Sequence, residues 1–466
     1  MGSVRRRPDN WATAVLLVAL VFTALFLGGD SSSEVAGRGT VGVGIGLAGF
    51  FLLELRHTWR NLFRADLLAL VALYFLSLFE FLFDQTAFAR RVSPELAIQG
   101  VHLVLWGFVA IAVGRHLTIK PSRHVTRLMR QPTPPGIVIG FFWFCMAIGY
   151  LYMLVAVNFN LVVMVEYMFE PRFRRPWGRG YFGDWNALLH ELGLFKNLVP
   201  PLAGVVIARY KRYSNIQVAA VGAGCLFVLF DGFASGTRNT FGVYLATFLV
   251  GYSFGIPRHQ WKRAAILSGI GALLMYWATS IMLAFRNVGL GQYLEEPRSR
   301  YLQEESGIFV DYNLQMISRI AEAFPSEFGY LGLEVPYQAL VRPIPRAIWS
   351  GKPEGLSVSI EEVIGAEGWT VATTFIGEAY MSGGVLGIII IGMVIGGLAS
   401  WWSQHLDTYN SDLGILIYAS GLFAFLIGMR SMLWITTGML PALGAVVIGL
   451  FLMRYYTGVR AKVKTQ

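Results

Sequence analysis

Residues 382–402 read SGGVLGIIIIGMVIGGLASWW, and none of these positions carries a charged side chain. About twenty apolar residues form a helix long enough to cross the hydrocarbon core of a bilayer. The composition of the whole chain agrees, because 55% of its 466 residues are hydrophobic and only 14% are charged. A soluble protein of this length carries charge on roughly a quarter of its residues. The sequence therefore predicts a membrane protein.

Eleven more apolar runs of this kind predict an all-α fold, a polytopic membrane bundle of about 12 transmembrane helices. The twelve runs lie near residues 11–28, 39–56, 66–84, 97–114, 135–157, 188–208, 214–232, 237–254, 264–284, 383–402, 411–429 and 437–453. They divide the chain into spans 1–9 at residues 1–284, a long loop at 285–382, and spans 10–12 with a basic tail at 383–466. The first run lacks a small-residue cleavage site, so it is expected to remain as a span.

Lysines and arginines alternate from one connection to the next, and this alternation predicts the orientation of the spans. With the N-terminus in the cytoplasm, 21 of the 38 basic residues fall on the cytoplasmic side, mostly in short connections. Cytoplasmic connections of membrane proteins carry such an excess. Both termini are therefore predicted to be cytoplasmic and the loop 285–382 periplasmic, in a bacterial inner membrane. The loop also holds 13 of the 28 acidic residues, so a salt-bridged, solvated loop is one interpretation of it.

The long loop contains patterns of short elements. Ser359 with Glu362 forms a capping box that predicts a short helix. An earlier amphipathic helix is indicated by apolar residues at helical spacing, namely Val310, Leu314, Ile317, Ala321 and Phe324. Four prolines between 336 and 353 predict a stiff, extended stretch. Its basic residues are Arg342, Arg346 and Lys352. We expect a small helical cap over the bundle.

Metal and nucleotide chemistry find little support in the sequence. Cys145 and Cys225 both lie in apolar runs, so no disulfide framework or thiolate metal site is expected. The seven histidines are scattered without the spacing of metal ligands. A G-x-G-x-x-G pattern at residues 44–49 lies inside a predicted span, where helix packing explains it better than a dinucleotide site. No metal, cofactor or nucleic-acid partner is predicted.

Several cations converge on the predicted periplasmic face. Arg238 closes the tight turn SGTR at 235–238, Arg286 lies at the end of span 9, and Arg430 follows span 11. Lys196 falls in the outer half of span 6, where an unpaired ammonium is costly and functional by default. Arginines of this kind can simply snorkel to the interface. A functional interpretation requires a polyanion at the membrane surface, and a lipid-linked diphosphate fits the guanidinium fork.

Three motifs resemble a known family. The turn SGTR (235–238), the run PYQALVRPIPRAIWSGKPE (336–354) and the segment TFIGEAYMSGGVLG (374–387) resemble bacterial O-antigen polymerases, the oligosaccharide repeat-unit polymerases. The resemblance implies a glycosyltransferase that joins repeat units carried on undecaprenyl diphosphate, which serve as donor and acceptor. It also implies functional roles for Arg238, Arg342, Arg346 and Glu378. O-antigen ligases share the architecture but are expected to have a histidine in the large loop, and this loop has none.

The predicted site follows from these residues and the resemblance together. Glu378 first and Asp231 second are candidates for taking the acceptor proton. The cations expected to bind the diphosphate are Arg238, Arg286, Arg342, Arg346, Lys352, Arg430 and Lys196. Membrane lipids are expected partners, and the resemblance leaves room for a chain-length regulator and a flippase.

Two other functions remain open, a lipid-linked oligosaccharide flippase or transporter and a ligase-type transferase. A transporter is expected to show internal repeats or broken helices at mid-membrane, and neither is visible in the sequence.

Overall fold

The computed structural model describes residues 7–117, 119–177, 186–286, 288–296, 310–346, 348–363, 365, 372–406 and 411–464. Within these residues the regular structure is entirely helical, without a strand. The α-helices are α1 (Asn10–Leu25), α2 (Ser32–Leu55), α3 (Ala65–Ser77), α4 (Thr86–Arg91), α5 (Pro94–Gly114), α6 (Arg123–Arg130), α7 (Pro135–Ala156), α8 (Leu161–Phe169), α9 (Asn186–Leu192), α10 (Val199–Ala208), α11 (Asn215–Ala234), α12 (Arg238–Gly255), α13 (Trp261–Phe285), α14 (Leu290–Glu295), α15 (Asn313–Ala323), α16 (Glu334–Val341), α17 (Ile360–Val363), α18 (Thr374–Ser403), α19 (Asp412–Arg430) and α20 (Ile435–Lys464).

The helices confirm the prediction of an all-helical, multi-pass membrane protein. Nine helical stretches among the described residues are long and apolar enough to cross a membrane. Two shorter apolar helices, α1 and α3, coincide with further predicted runs, and α12 coincides with the run 237–254. Every predicted apolar run therefore overlaps helical residues, while the number of crossings stays a prediction. We call the end of the bundle where α13 ends the loop end, and the opposite end the tail end.

A buried charge network joins the helices at the tail end. Arg115 donates to Glu54 at 2.5 Å and to Asp66 at 2.8 Å, and Arg64 donates to Asp66 at 3.0 Å. All four side chains are fully buried, and the Ser403 hydroxyl adds a bond to Asp66 at 2.9 Å. Arg64 and Arg115 lie at the tail end, where they tie α2, α3, α5 and α18 together.

The predicted span 188–208 changes from α-helix to 3-10 helix and back to α-helix. α9 ends at Leu192, a 3-10 helix runs from Gly193 to Leu198, and α10 then begins at Val199. A 3-10 helix replaces the i→i+4 hydrogen bonds of an α-helix with i→i+3 bonds. Lys196 lies within the 3-10 helix. Residues Leu189–Ala208 remain one helical stretch long enough to span a membrane, so the expected absence of broken helices at mid-membrane stays a prediction.

α18 is a helical hairpin. Gly383 and Gly384 are non-helical, and the φ of +62° at Gly384 belongs to the left-handed region that favours glycine. A Cβ placed on Gly387 would collide with the carbonyl oxygen of Ala379, which an unbroken helix would hold two turns away. We call residues 374–382 the short arm and residues 385–403 the long arm. The chain reverses between them, so the two arms lie side by side.

The short arm enters the bundle. A Cβ placed on Gly107, well inside α5, would lie 3.4 Å from Cζ of Phe375. Phe375 and Ile376 are fully buried. The sequence analysis assigned residues 374–382 to the loop, with the next span beginning at 383. The structure places this segment among the apolar helices, where non-spanning backbone is tolerated because protein surrounds it.

α15 packs against the loop-end parts of α3 and α5. Its predicted apolar stripe is confirmed, since Leu314 and Ile317 are fully buried. Ser318 faces Gly100 of α5, where a Cβ would collide with the serine hydroxyl. The Asn313 side chain donates to the Leu76 carbonyl at 2.8 Å, at the end of α3. The helix prediction was correct, and the predicted position of the loop as a cap over the bundle stays a prediction.

The proline-rich stretch is partly helical, contrary to the extended prediction. α16 includes Pro336, which lies in the first turn of the helix, where a missing N–H costs little. The capping box is confirmed, because the Glu362 amide donates to the Ser359 hydroxyl at 3.0 Å at the start of α17. Parts of the predicted loop lie outside the described residues. These parts are residue 287, residues 297–309, 347, 364 and 366–371.

Candidate functional site

The SGTR turn between α11 and α12 is held by its own hydrogen bonds. The Ser235 hydroxyl donates to the Gly232 carbonyl at 2.7 Å and accepts from the Thr237 amide at 3.2 Å. Gly236 has a φ of +65°, and a Cβ there would lie 3.0 Å from Cα of Arg286. Glycine is therefore required both for the turn and for its close approach to the end of α13. The turn fixes the start of α12, where Arg238 is the first residue.

Three arginines predicted from the sequence come together at the loop end. Arg238 is only 8% exposed, and the positive charges of Arg286 and Arg430 act on it. Its favourable electrostatic partners are Asp311 and Glu80. The Arg430 guanidinium lies 3.4 Å from the Asp311 carboxylate. We call Arg238, Arg286 and Arg430 the arginine cluster.

Glu80 is a member of this site that the sequence analysis missed. It is 3% exposed and lies in a 3-10 helix, Phe79–Leu82, beyond the end of α3. Its carboxyl group accepts the amide of Val310 at 2.7 Å and the amide of Asp311 at 3.2 Å. The available signal was an acidic residue within the predicted run 66–84, where acids are rare and functional.

Basic groups outnumber acidic groups at this site. The three arginines face two carboxyl groups, those of Asp311 and Glu80. The geometry therefore favours an anionic ligand, and a diphosphate diester is a ligand of this kind.

Glu378, on the short arm, holds the turn that follows Arg430. Its buried carboxylate, 2% exposed, accepts the Met432 amide at 2.6 Å, the Ser431 hydroxyl and the Leu433 amide. We call residues 431–434, between α19 and α20, the connecting turn. Amides at a helix start have no partner within the helix, so a carboxylate satisfies them. The carboxylate that was predicted to take a proton is occupied by donors of the protein itself.

The three basic residues of the proline-rich stretch differ in their surroundings. Arg342 stacks on Trp434 of the connecting turn, 4.0 Å from the ring centroid, and acts on Glu378 electrostatically. Lys352 donates to the carbonyls of Arg342 and Ile344 at 2.8 and 2.9 Å, so it braces the stretch. Arg346 is about half exposed and lies 3.6 Å from the exposed carboxylate of Glu354. Of the three, Arg342 lies next to the predicted catalytic glutamate.

Lys196 and Asp231 form a buried ion pair with each other. The ammonium donates to the Asp231 carboxylate at 2.8 Å and to the Tyr152 hydroxyl at 3.0 Å, and it lies 4.9 Å from the Tyr150 ring centroid. Both side chains are less than a tenth exposed. The sequence analysis treated Lys196 as unpaired and Asp231 as a second base. Because each residue neutralises the charge of the other, a structural role explains the presence of both.

The pairing predicts coupled stability. Lys196→Met leaves a buried aspartate without its cation, which is expected to cost about 3–5 kcal/mol of unfolding free energy. Asp231→Asn should cost a similar amount. The double variant removes both charges and should recover most of the loss, because its sites are in contact. Thermal unfolding of the three purified variants measures this coupling. Losses that simply add in the double variant would show that the pair is not coupled.

The described residues contain no group of three or more histidine, cysteine, aspartate or glutamate side chains that could hold a metal ion. The fold and site together define a multi-pass helical membrane protein with a cationic site at one end of the bundle.

A family model described as a domain of unknown function (DUF8712) matches residues 304–453. That region includes Asp311, Glu378 and Arg430. No curated protein and no solved structure matches the chain.

Proposed function

We propose that the protein is a membrane glycosyltransferase that polymerises repeat units linked to undecaprenyl diphosphate. The observation that carries the proposal is the arginine cluster, in which the charges of Arg286 and Arg430 act on the buried Arg238 and Arg430 lies 3.4 Å from the Asp311 carboxylate. Three guanidinium groups at one end of an apolar bundle favour a polyanion anchored in the membrane. The resemblance of the SGTR, proline-rich and GEAY motifs to O-antigen polymerases specifies that polyanion as a lipid-linked diphosphate.

The proposed reaction transfers a glycan from one lipid carrier to another. A hydroxyl oxygen of the acceptor unit bonds to the anomeric carbon of the donor. The bond from that carbon to the diphosphate oxygen breaks, and the electron pair leaves with the lipid diphosphate. The arginine cluster stabilises the charge that grows on the leaving group.

A carboxylate must take the acceptor proton. A diphosphate that binds Arg430 would release Asp311 from its contact with that arginine, so Asp311 becomes the first candidate. Glu378, which the sequence analysis placed first, has its oxygens occupied by the connecting turn. We therefore assign Glu378 a positioning role, since the connecting turn it binds directly follows Arg430.

The proposed location is a bacterial inner membrane with the loop end in the periplasm. The alternation of basic residues along the chain supports this orientation. In that orientation the arginine cluster meets lipid-linked units in the outer leaflet, where polymerisation of exported glycans would occur.

A lipid-linked oligosaccharide flippase is the second candidate. Transporters often contain irregular or broken helices. Here the 3-10 helix between α9 and α10 contains Lys196, and α18 forms a helical hairpin. A transporter must also open its other end. Here four fully buried charged side chains tie α2, α3, α5 and α18 together at the tail end, and breaking a buried ion pair typically costs about 3–5 kcal/mol. The cost of separating these helices favours the polymerase.

A reconstitution separates the two candidates. The substrate is lipid-linked repeat units extracted from a strain that lacks this protein, supplied on both faces of proteoliposomes containing the purified chain. The polymerase should produce long glycans and release lipid diphosphate. Movement of labelled units between leaflets without longer products would instead establish the flippase.

A further inference from the structure

α16 exposes an apolar stripe at the loop end. Leu333, Tyr337 and Leu340 follow i, i+4, i+7 spacing and are 83%, 44% and 68% exposed. The turns after the helix continue the stripe with Ile344 and Ile348, at 37% and 69%. Burying a large apolar side chain away from water is strongly favourable. Exposing five such side chains to water would therefore cost considerable free energy.

The opposite face of α16 packs against the protein. Val335 is fully buried and Ala339 is 4% exposed. Both faces of this short helix are thus apolar, but only one of them is covered by the chain. A helix that is apolar on two faces is normally buried on both of them.

Hydrogen bonds place α16 at the level where the apolar helices begin. The amides of Leu331 and Gly332 donate to the carbonyls of Met381 and Ser382 at 2.8 and 2.9 Å, next to the reversal in α18. The Thr436 hydroxyl, in the first turn of α20, donates to the Ala339 carbonyl. α16 therefore lies beside the loop-end termini of the long arm of α18 and of α20. In a bilayer those termini mark the boundary between acyl chains and headgroups.

Basic and aromatic side chains follow the stripe directly. Arg342 stacks on Trp434, and Arg346 is about half exposed. Arginine and tryptophan are the residues that membrane-interface segments use to meet phosphate headgroups. The combination of an exposed apolar stripe, basic residues and a position at the ends of apolar helices is typical of a helix lying in the membrane surface.

We propose that α16 and the turns to Ile348 lie in the leaflet at the loop end, with the apolar stripe inserted among lipid acyl chains. The occupant of the stripe is the bilayer itself. The insertion holds residues 334–348 against the membrane and places Arg342 and Arg346 at the depth of the lipid phosphates. This inference is independent of the proposed enzymatic activity and would hold equally for a transporter.

Spin labels can test the position of the stripe. In a background with Cys145→Ala and Cys225→Ala, single cysteines replace Leu340 and Ile348, and the labelled proteins are placed in nanodiscs containing anionic lipid. Power saturation then compares access to oxygen, which concentrates in lipid, with access to a water-soluble nickel chelate. Labels at both positions should favour oxygen strongly, at a depth of about 5–10 Å below the headgroups.

Two control positions define the scale. Glu354→Cys, in the same segment, replaces a side chain that is 94% exposed and should favour the nickel chelate. Leu273→Cys, at a residue of α13 that is 71% exposed, should report the acyl-chain environment. If Leu340→Cys fails to fold, Leu333→Cys tests the same stripe. A label at the stripe that matches Glu354→Cys, or one closed to both reagents, would overturn insertion into the bilayer.

Discussion

Replacing Arg238 by alanine is expected to lower polymer formation by about a hundredfold or more, because it removes a fixed donor from the developing negative charge. The side chain is 8% exposed and begins a helix whose preceding turn is held by hydrogen bonds and by Gly236. It therefore has little freedom to lose when the diphosphate binds. Arg286 and Arg430 oppose its charge in the free protein. Removing it relieves this repulsion but also takes a cation from Asp311 and Glu80, so the melting temperature of the variant is measured together with its rate.

Two further variants define the origin of the Arg238 effect. Arg238→Lys keeps the charge but cannot present two parallel N–H groups, so it should recover only part of the rate. Arg38→Ala removes an arginine that is 52% exposed and paired with Glu34 on the surface, and it should retain the wild-type rate. The assay measures polymer from purified lipid-linked units in nanodiscs. A well-folded Arg238→Ala protein that polymerises normally would exclude Arg238 from diphosphate binding.

Glu378→Gln is expected to reduce polymer formation by about ten- to a hundredfold, because it disturbs the support of the connecting turn. The amide group presents its own donors where the carboxylate accepts three, from Ser431, Met432 and Leu433. An unsatisfied buried group of this kind costs about 1–3 kcal/mol, so the melting temperature should fall as well. Glu322→Gln, at a glutamate that is 52% exposed, is the matched control and should change neither quantity.

The pH dependence of the rate distinguishes positioning from proton transfer. If Glu378 acts through the connecting turn, the Glu378→Gln enzyme should keep the shape of the wild-type pH–rate profile at a lower rate. Asp311→Asn should instead remove the acidic limb, since Asp311 is the proposed proton acceptor. Loss of that limb in Glu378→Gln, with the limb retained in Asp311→Asn, would restore Glu378 as the base.

The candidate site was only partly predictable. The three arginines of the cluster were identified because each lies at the end of an apolar run, where a charge stands out. Glu80 and Asp311 were not identified, because Glu80 lay within a predicted span and Asp311 was one of 13 acidic residues in the loop. Glu80 binds the amides of Val310 and Asp311, 230 and 231 positions away, and Asp311 contacts Arg430 across 119 positions. No local pattern in a sequence contains that information.

The sequence by itself determined the membrane class, the positions of the apolar helices, the stripe of α15 and the capping box of α17. These features follow from interactions within about twenty neighbouring residues, namely hydropathy, helical period and backbone capping. Only the tertiary structure decided that the chain reverses at Gly383–Gly384, that α15 packs against α3 and α5, and that Lys196 pairs with Asp231. In a membrane both lipid-facing and protein-facing surfaces are apolar. Hydrophobicity therefore reveals which segments are buried, but the partner of each face depends on packing between distant segments.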